Sequence, residues 1–102
     1  MIEVTFTTPL LESEDCVYTE GGGPIFFKSW LKAYNPKKGI ILLDDGWDFR
    51  FEEHLNCNTF LFSKKNDLDI TVIAGRIKRV TKYEQVETAN YVGAVGIAAS
   101  PL

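Results

Sequence analysis

The chain has 102 residues, 45% of them apolar and 13% aromatic, and its 14 acids against 11 bases give a formal net charge of −3. This size and composition suit a single domain over residues 1–102 with its own core, and they exclude an intrinsically disordered chain. The acidic balance argues against nucleic-acid binding, no segment approaches the ~20 apolar residues of a membrane span, and the N-terminus lacks the basic-then-apolar layout of a signal peptide.

Ile2, Val4 and Phe6 alternate with Glu3, Thr5 and Thr7, which predicts an opening strand closed by Pro9. Residues 10–15 read as an acidic connection, and Cys16, Val17, Tyr18 and Thr19 as a short strand. After Gly21, Gly22 and Gly23, the residues Phe26, Phe27, Trp30, Leu31 and Tyr34 recur at the spacing of one helix face, with Lys28 and Lys32 a turn apart on the other. Pro24 suits a first helical turn, and Asn35, pushed out of helical geometry by Pro36, suits its end. An amphipathic helix over about residues 24–34 is therefore expected, its large apolar groups laid against a sheet.

Ile40, Ile41, Leu42 and Leu43 form a continuous apolar run, the mark of a strand covered on both faces. Asp44, Asp45 and Gly46 make a turn, and Trp47, Phe49 and Phe51 then alternate with Asp48, Arg50 and Glu52, so the whole reads as a hairpin. Residues 53–58 turn the chain, Phe60, Leu61 and Phe62 form a strand, residues 64–67 are a polar turn, and Leu68, Ile70 and Val72 alternate again. Gly75 marks a bulge or bend beyond which the alternation changes phase. Residues 76–86 read as strand, although Ile73, Ile77 and Val80 also fit a helix. Residues 88–102 carry no charged side chain, and there Tyr91, Val95 and Ile97 alternate with small residues as a terminal strand. The expected fold class is α+β: an antiparallel sheet of about six to seven strands, or a small β-barrel, with one packed helix over about residues 24–34.

His54 and Cys57 stand at the spacing of half a zinc site, but a closed site takes four ligands, which Cys16 and a carboxylate would have to complete. A buried Cys57 in a turn is the simpler account, so no metal and no other cofactor is expected. A Cys–His nucleophilic pair needs a third, orienting group, and no local signature supplies one. The glycine triplet lacks the Lys-Ser/Thr ending of a phosphate loop and reads as a hinge. Arg76, Lys78, Arg79 and Lys82 crowd together, and on a strand Arg76, Lys78 and Lys82 share one face. No aromatic platform accompanies them, so a solvated strand face outweighs a phosphate site.

Asp44, Asp45, Asp48, Glu52 and Glu53 form the densest acidic group, without the spacing of a calcium loop. Of these, Asp44, Asp45, Asp48 and Glu52 are candidates to meet a basic surface on a partner protein. Tyr91, Val95 and Ile97 are candidates for pairing with another chain, the alternative to a central place in their own sheet.

Function follows by elimination. The reading is a small non-enzymatic protein-binding factor: an inhibitor, immunity or accessory protein of the kind that phages and mobile elements encode. Its partner is another protein chain, a second copy of itself included, rather than nucleic acid or membrane. Two free thiols fit a reducing cytoplasm, that of a host cell or the interior of a virion if the gene is a phage's. The alternatives are a structural subunit of a virion or other symmetric assembly, and a small enzyme using Cys57, His54 and neighbouring acids.

Overall fold

The computed structural model describes residues 1–65 and 68–83. Among them ten strands follow one another and no α-helix occurs. The strands are β1 (Ile2–Phe6), β2 (Leu10–Glu12), β3 (Cys16–Thr19), β4 (Ile25–Phe27), β5 (Leu31–Asn35), β6 (Ile40–Leu43), β7 (Trp47–Glu52), β8 (Thr59–Lys64), β9 (Leu68–Ile73) and β10 (Ile77–Lys82). They form three antiparallel sheets: a central one in the order β10-β1-β6-β5, an N-terminal one, β2-β3-β4, and an aromatic one, β7-β8-β9. This architecture overturns the expected α+β class, because the helix over residues 24–34 is absent. The acidic connection over residues 10–15 is likewise corrected, since β2 occupies its first half.

The stretch expected to be helical is strand, corner and strand. β4 ends at Phe27, the 3₁₀ turn Lys28–Trp30 redirects the chain, and β5 starts at Leu31. Phe26 is fully buried while its neighbours Ile25 and Phe27 are 51% and 48% exposed, an alternation that belongs to an extended chain. The spacing of residues 26, 30 and 34 is common to a helix face and to two strands meeting at a corner. Backbone pairing decides between them, with Phe26 opposite Val17 in β3 and Leu31 opposite Leu43 in β6. A helix of so few residues is marginal in water, and Phe, Trp and Tyr favour strands.

β6 is bonded to β1 on one side and to β5 on the other, and Ile41, Leu42 and Leu43 are all fully buried, as expected of a strand covered on both faces. With both edges taken, β6 cannot pair with β7, so the anticipated hairpin does not form. The turn at Asp44, Asp45 and Gly46, where Gly46 has φ 95°, instead passes the chain to the aromatic sheet, in which β7 pairs with β8. The true hairpin joins β5 to β6 across residues 36–39. There the Gly39 amide donates to the Pro36 carbonyl at 3.1 Å, and the Gly39 carbonyl accepts from the Phe6 amide at 2.7 Å.

Both edge strands of the central sheet are entered through 3₁₀ corners. Lys28–Trp30 leads from the N-terminal sheet into β5, and Ala74–Arg76 leads from the aromatic sheet into β10. Gly75 lies in the second corner and not in a bulged strand. The bulge comes just after it: Phe6 pairs with Ile77 and Thr5 with Arg79, so Lys78 is the extra residue. Ile77 and Val80 therefore both lie on the side of Phe6 and Val4 although they are three residues apart, which explains their helix-like spacing. Residues 84–86 of the expected strand lie outside the described residues.

The three sheets share one core. The buried ring of Phe26 from the N-terminal sheet meets Phe6 of the central sheet at 5.8 Å and Phe62 of the aromatic sheet at 6.5 Å, both edge-on. No helix among the described residues is long and apolar enough to cross a membrane.

Candidate interaction surface

The acids singled out in the sequence are brought near bases. Asp45 lies 3.5 Å from the N-terminal ammonium, Asp48 lies 3.6 Å from Lys82, and Glu52 accepts from Arg50 at 3.2 Å with His54 3.8 Å away. Asp44 is half-buried and its amide donates to the Trp30 carbonyl at 3.0 Å. Burial pushes its carboxyl above the ordinary aspartate value, against the opposing pull of Lys64 and Lys32. These four side chains are thus dispersed among separate contacts. Tyr91, Val95 and Ile97 lie outside the described residues.

His54 and Cys57 sit in the exposed loop between β7 and β8, whose Leu55 is fully exposed. Cys16 is in β3 with its Sγ 2.9 Å from the Ser13 hydroxyl, and neither cysteine is bridged. Among the described residues no group of three or more His, Cys, Asp and Glu side chains is placed to hold a metal ion. The basic cluster is not all on one strand, because Arg76 lies in the corner before β10. Arg76 reaches the Thr19 hydroxyl and the Glu20 carbonyl at 3.5 Å, Arg79 pairs opposite Thr5, and Lys82 turns to Asp48. Gly21 and Gly22, at φ 84° and 81°, turn the chain from β3 into β4, so no helix N-terminus follows them.

Two features escape a reading of the sequence. The first is a polar triad across sheets: Lys28 bridges to Glu12 at 2.8 Å, Tyr34 donates to the same carboxylate oxygen at 2.8 Å, and the ammonium stands over the Tyr34 ring. The Lys28 hydrogen bond, followed by that from Tyr34, holds the Glu12 carboxyl below its ordinary value. No motif announces this triad, because its members come from β2, the first corner and β5.

The second feature is the outer face of the N-terminal sheet. Its register places Leu11 beside Tyr18 and Tyr18 beside Ile25, one residue from each strand, with Cys16 beside Phe27 in the next row. The opposite face carries Leu10, Val17, Thr19 and Phe26, all buried. On the outer face Leu11, Ile25 and Phe27 are exposed while Cys16 and Tyr18 are half-buried. The Phe27 ring stands edge-on to Trp30 at 4.9 Å, which carries the apolar surface on to the corner. Acids mark its two ends: Glu14 and Asp15 in the β2–β3 turn, and Glu20 at the start of the β3–β4 turn. All three are exposed and have no ion pair among the described residues. The signal for this face was present in the alternation of β3 and of Ile25, Phe26 and Phe27, but it is legible only once residues 24–34 are taken as extended.

No protein-family model, curated protein or solved structure matches the chain.

Proposed function

We propose that this chain is a small non-enzymatic protein-binding factor, an inhibitor or accessory protein, that engages its partner through the outer face of the N-terminal sheet. One observation carries the reading. Leu11, Tyr18 and Ile25 line up across three strands with Phe27 beside them, on the side turned away from the core. Contiguous exposed apolar surface rimmed by polar residues marks contact sites, and large side chains of this kind supply most of the energy of an interface. The unbridged Cys16 and Cys57 fit a reducing cytoplasm as the place of action.

The test is comparative capture. Wild-type chain and an Ile25→Asp/Phe27→Asp variant are immobilised, exposed to lysate of the source cell, and the retained proteins compared, with circular dichroism confirming that both are folded. A protein held by the wild type and released by the variant supports the reading. Indistinguishable captures overturn it.

A second reading, a subunit of a symmetric assembly, is favoured by β9, which among the described residues is an edge strand of the aromatic sheet with Leu68 and Ile73 exposed. Such an edge accepts a further strand. Light scattering at high concentration separates the two: a defined oligomer supports assembly, and a monomer confines this second reading to assembly on a template.

A further inference from the structure

We infer that the outer face of the N-terminal sheet receives a basic amphipathic helix of the partner protein, an inference that rests on the proposed function and names the chemistry of its partner. Three adjacent strands span two spacings of ~4.8 Å, about 10 Å, which is the width of one helix. The apolar groups offered there are side chains projecting from the sheet surface and not the main chain of an edge, so the complement is a striped helix and not an added strand.

Charge selects among helices. Residues 10–27 contain Glu12, Glu14, Asp15 and Glu20 and no lysine or arginine. Glu12 belongs to the inward side, opposite Val17, and is already held by Lys28 and Tyr34. Glu14, Asp15 and Glu20 are exposed and form no ion pair among the described residues. Lys28 is held by the Glu12 carboxylate, and Arg76 reaches the Thr19 hydroxyl and the Glu20 main-chain carbonyl, not the Glu20 carboxylate. From Asp15 to Glu20 is five residues of extended chain, about 17 Å, which a helix covers in about 11 residues. The partner helix thus carries an apolar stripe with lysine or arginine at both ends. A second copy meeting this face through its own would set acids against acids, as an isologous contact requires, and an anionic lipid surface or nucleic acid meets the same repulsion.

The probe is a fluorescein-labelled peptide of about four helical turns, with leucines along one face and paired lysines at each end, and the control has glutamates in place of those lysines. Fluorescence anisotropy is expected to show binding of the lysine peptide that weakens as salt is raised. The glutamate peptide is expected to bind at least about ten-fold more weakly, the scale of several exposed ion pairs. Glu14→Gln/Asp15→Asn/Glu20→Gln in one chain should erase the preference for lysine, and Ile25→Ser/Phe27→Ser should abolish binding of both peptides. Equal binding of the two peptides by the wild type overturns the basic partner while leaving the face in place. Full binding of the lysine peptide by Ile25→Ser/Phe27→Ser overturns the face itself, and with it the proposed function. Absence of binding to either peptide overturns the helix assignment.

Discussion

Phe26→Ala and Phe27→Ala, made separately, test the extended geometry on which the candidate surface depends. A helix lying on its ring-bearing side would bury both rings, whereas β4 sends them to opposite faces. Phe26 is fully buried. Burying a phenyl ring removes on the order of 150–250 Å² from water, roughly 4–6 kcal/mol at ~25 cal/mol per Å², and the methyl that alanine keeps lowers the expected loss to about 3–5 kcal/mol. Its edge contacts with Phe6 and Phe62 place the resulting void where the three sheets meet, so little collapse can offset it. Phe27 is 48% exposed and packs against Trp30 on one side. About half the area is at stake there, and the loss should be roughly 1–2 kcal/mol. Small domains have only ~5–15 kcal/mol to lose, so both losses are measurable and the first takes much the larger share. Urea unfolding followed by the fluorescence of Trp30 and Trp47, whose rings are 5.5 Å apart, measures both losses, provided the denaturant slope is unchanged. Equal losses, or a larger one at Phe27, would refute the alternation.

The titrating groups give two opposite slopes. Glu12 has its carboxyl held below the ordinary value of 4.5, so the stability it contributes is present above that value and is lost as pH falls through the lower folded one. Glu12→Gln should flatten the acid limb of a plot of urea midpoint against pH. Asp44 is raised by burial, so its ionised form weakens the fold at neutral pH and protonation relieves that as pH falls. Asp44→Asn should therefore raise the neutral midpoint, and a fall there would show that Lys64 and Lys32 outweigh desolvation. Gly39→Ala should cost about 1–3 kcal/mol, because φ 67° disfavours a side chain and the new methyl would meet the Thr8 carbonyl. Gly46→Ala, with positive φ but open space, should cost less in the same unfolding assay. Finally, a thiol reagent should label Cys57 fast and Cys16 slowly, and a bulky adduct on Cys16, the cross-strand neighbour of Phe27, should block the lysine peptide.

What could be read in advance was the local character of strands with one clear period. Ile2, Val4 and Phe6 are all buried, and Trp47, Phe49 and Phe51 lie on a strand, as their alternation predicts. Pairing was not legible, because a strand's pattern shows which face is buried and not which neighbour it takes. Ile40–Leu43 illustrates this: its apolar run announced cover on both faces, but the partners that deny it a hairpin with β7 are β1 and β5. Bulges and corners hid the rest. Each inserts residues that move side chains out of period 2, and Ile77 with Val80 on one side of the Lys78 bulge then mimics a helix. The Glu12 triad was invisible for another reason, since charge pairing between three elements leaves no spacing in the sequence.

The corner at Lys28–Trp30 connects the error in the fold to the candidate site. As a helix, residues 24–34 would have spent Phe26, Phe27, Trp30, Leu31 and Tyr34 on covering a sheet, leaving no apolar surface for anything else. As strand and corner, the same residues divide. Phe26 and Leu31 enter the core, Tyr34 braces Glu12, and Ile25 and Phe27 turn outward beside Leu11 and Tyr18. The outward pair is therefore surplus to the core, whose inner face is complete without it. That is why polar substitution at Ile25 and Phe27 should weaken the fold without unfolding it and abolish binding, while the same change at Phe26 should destroy both.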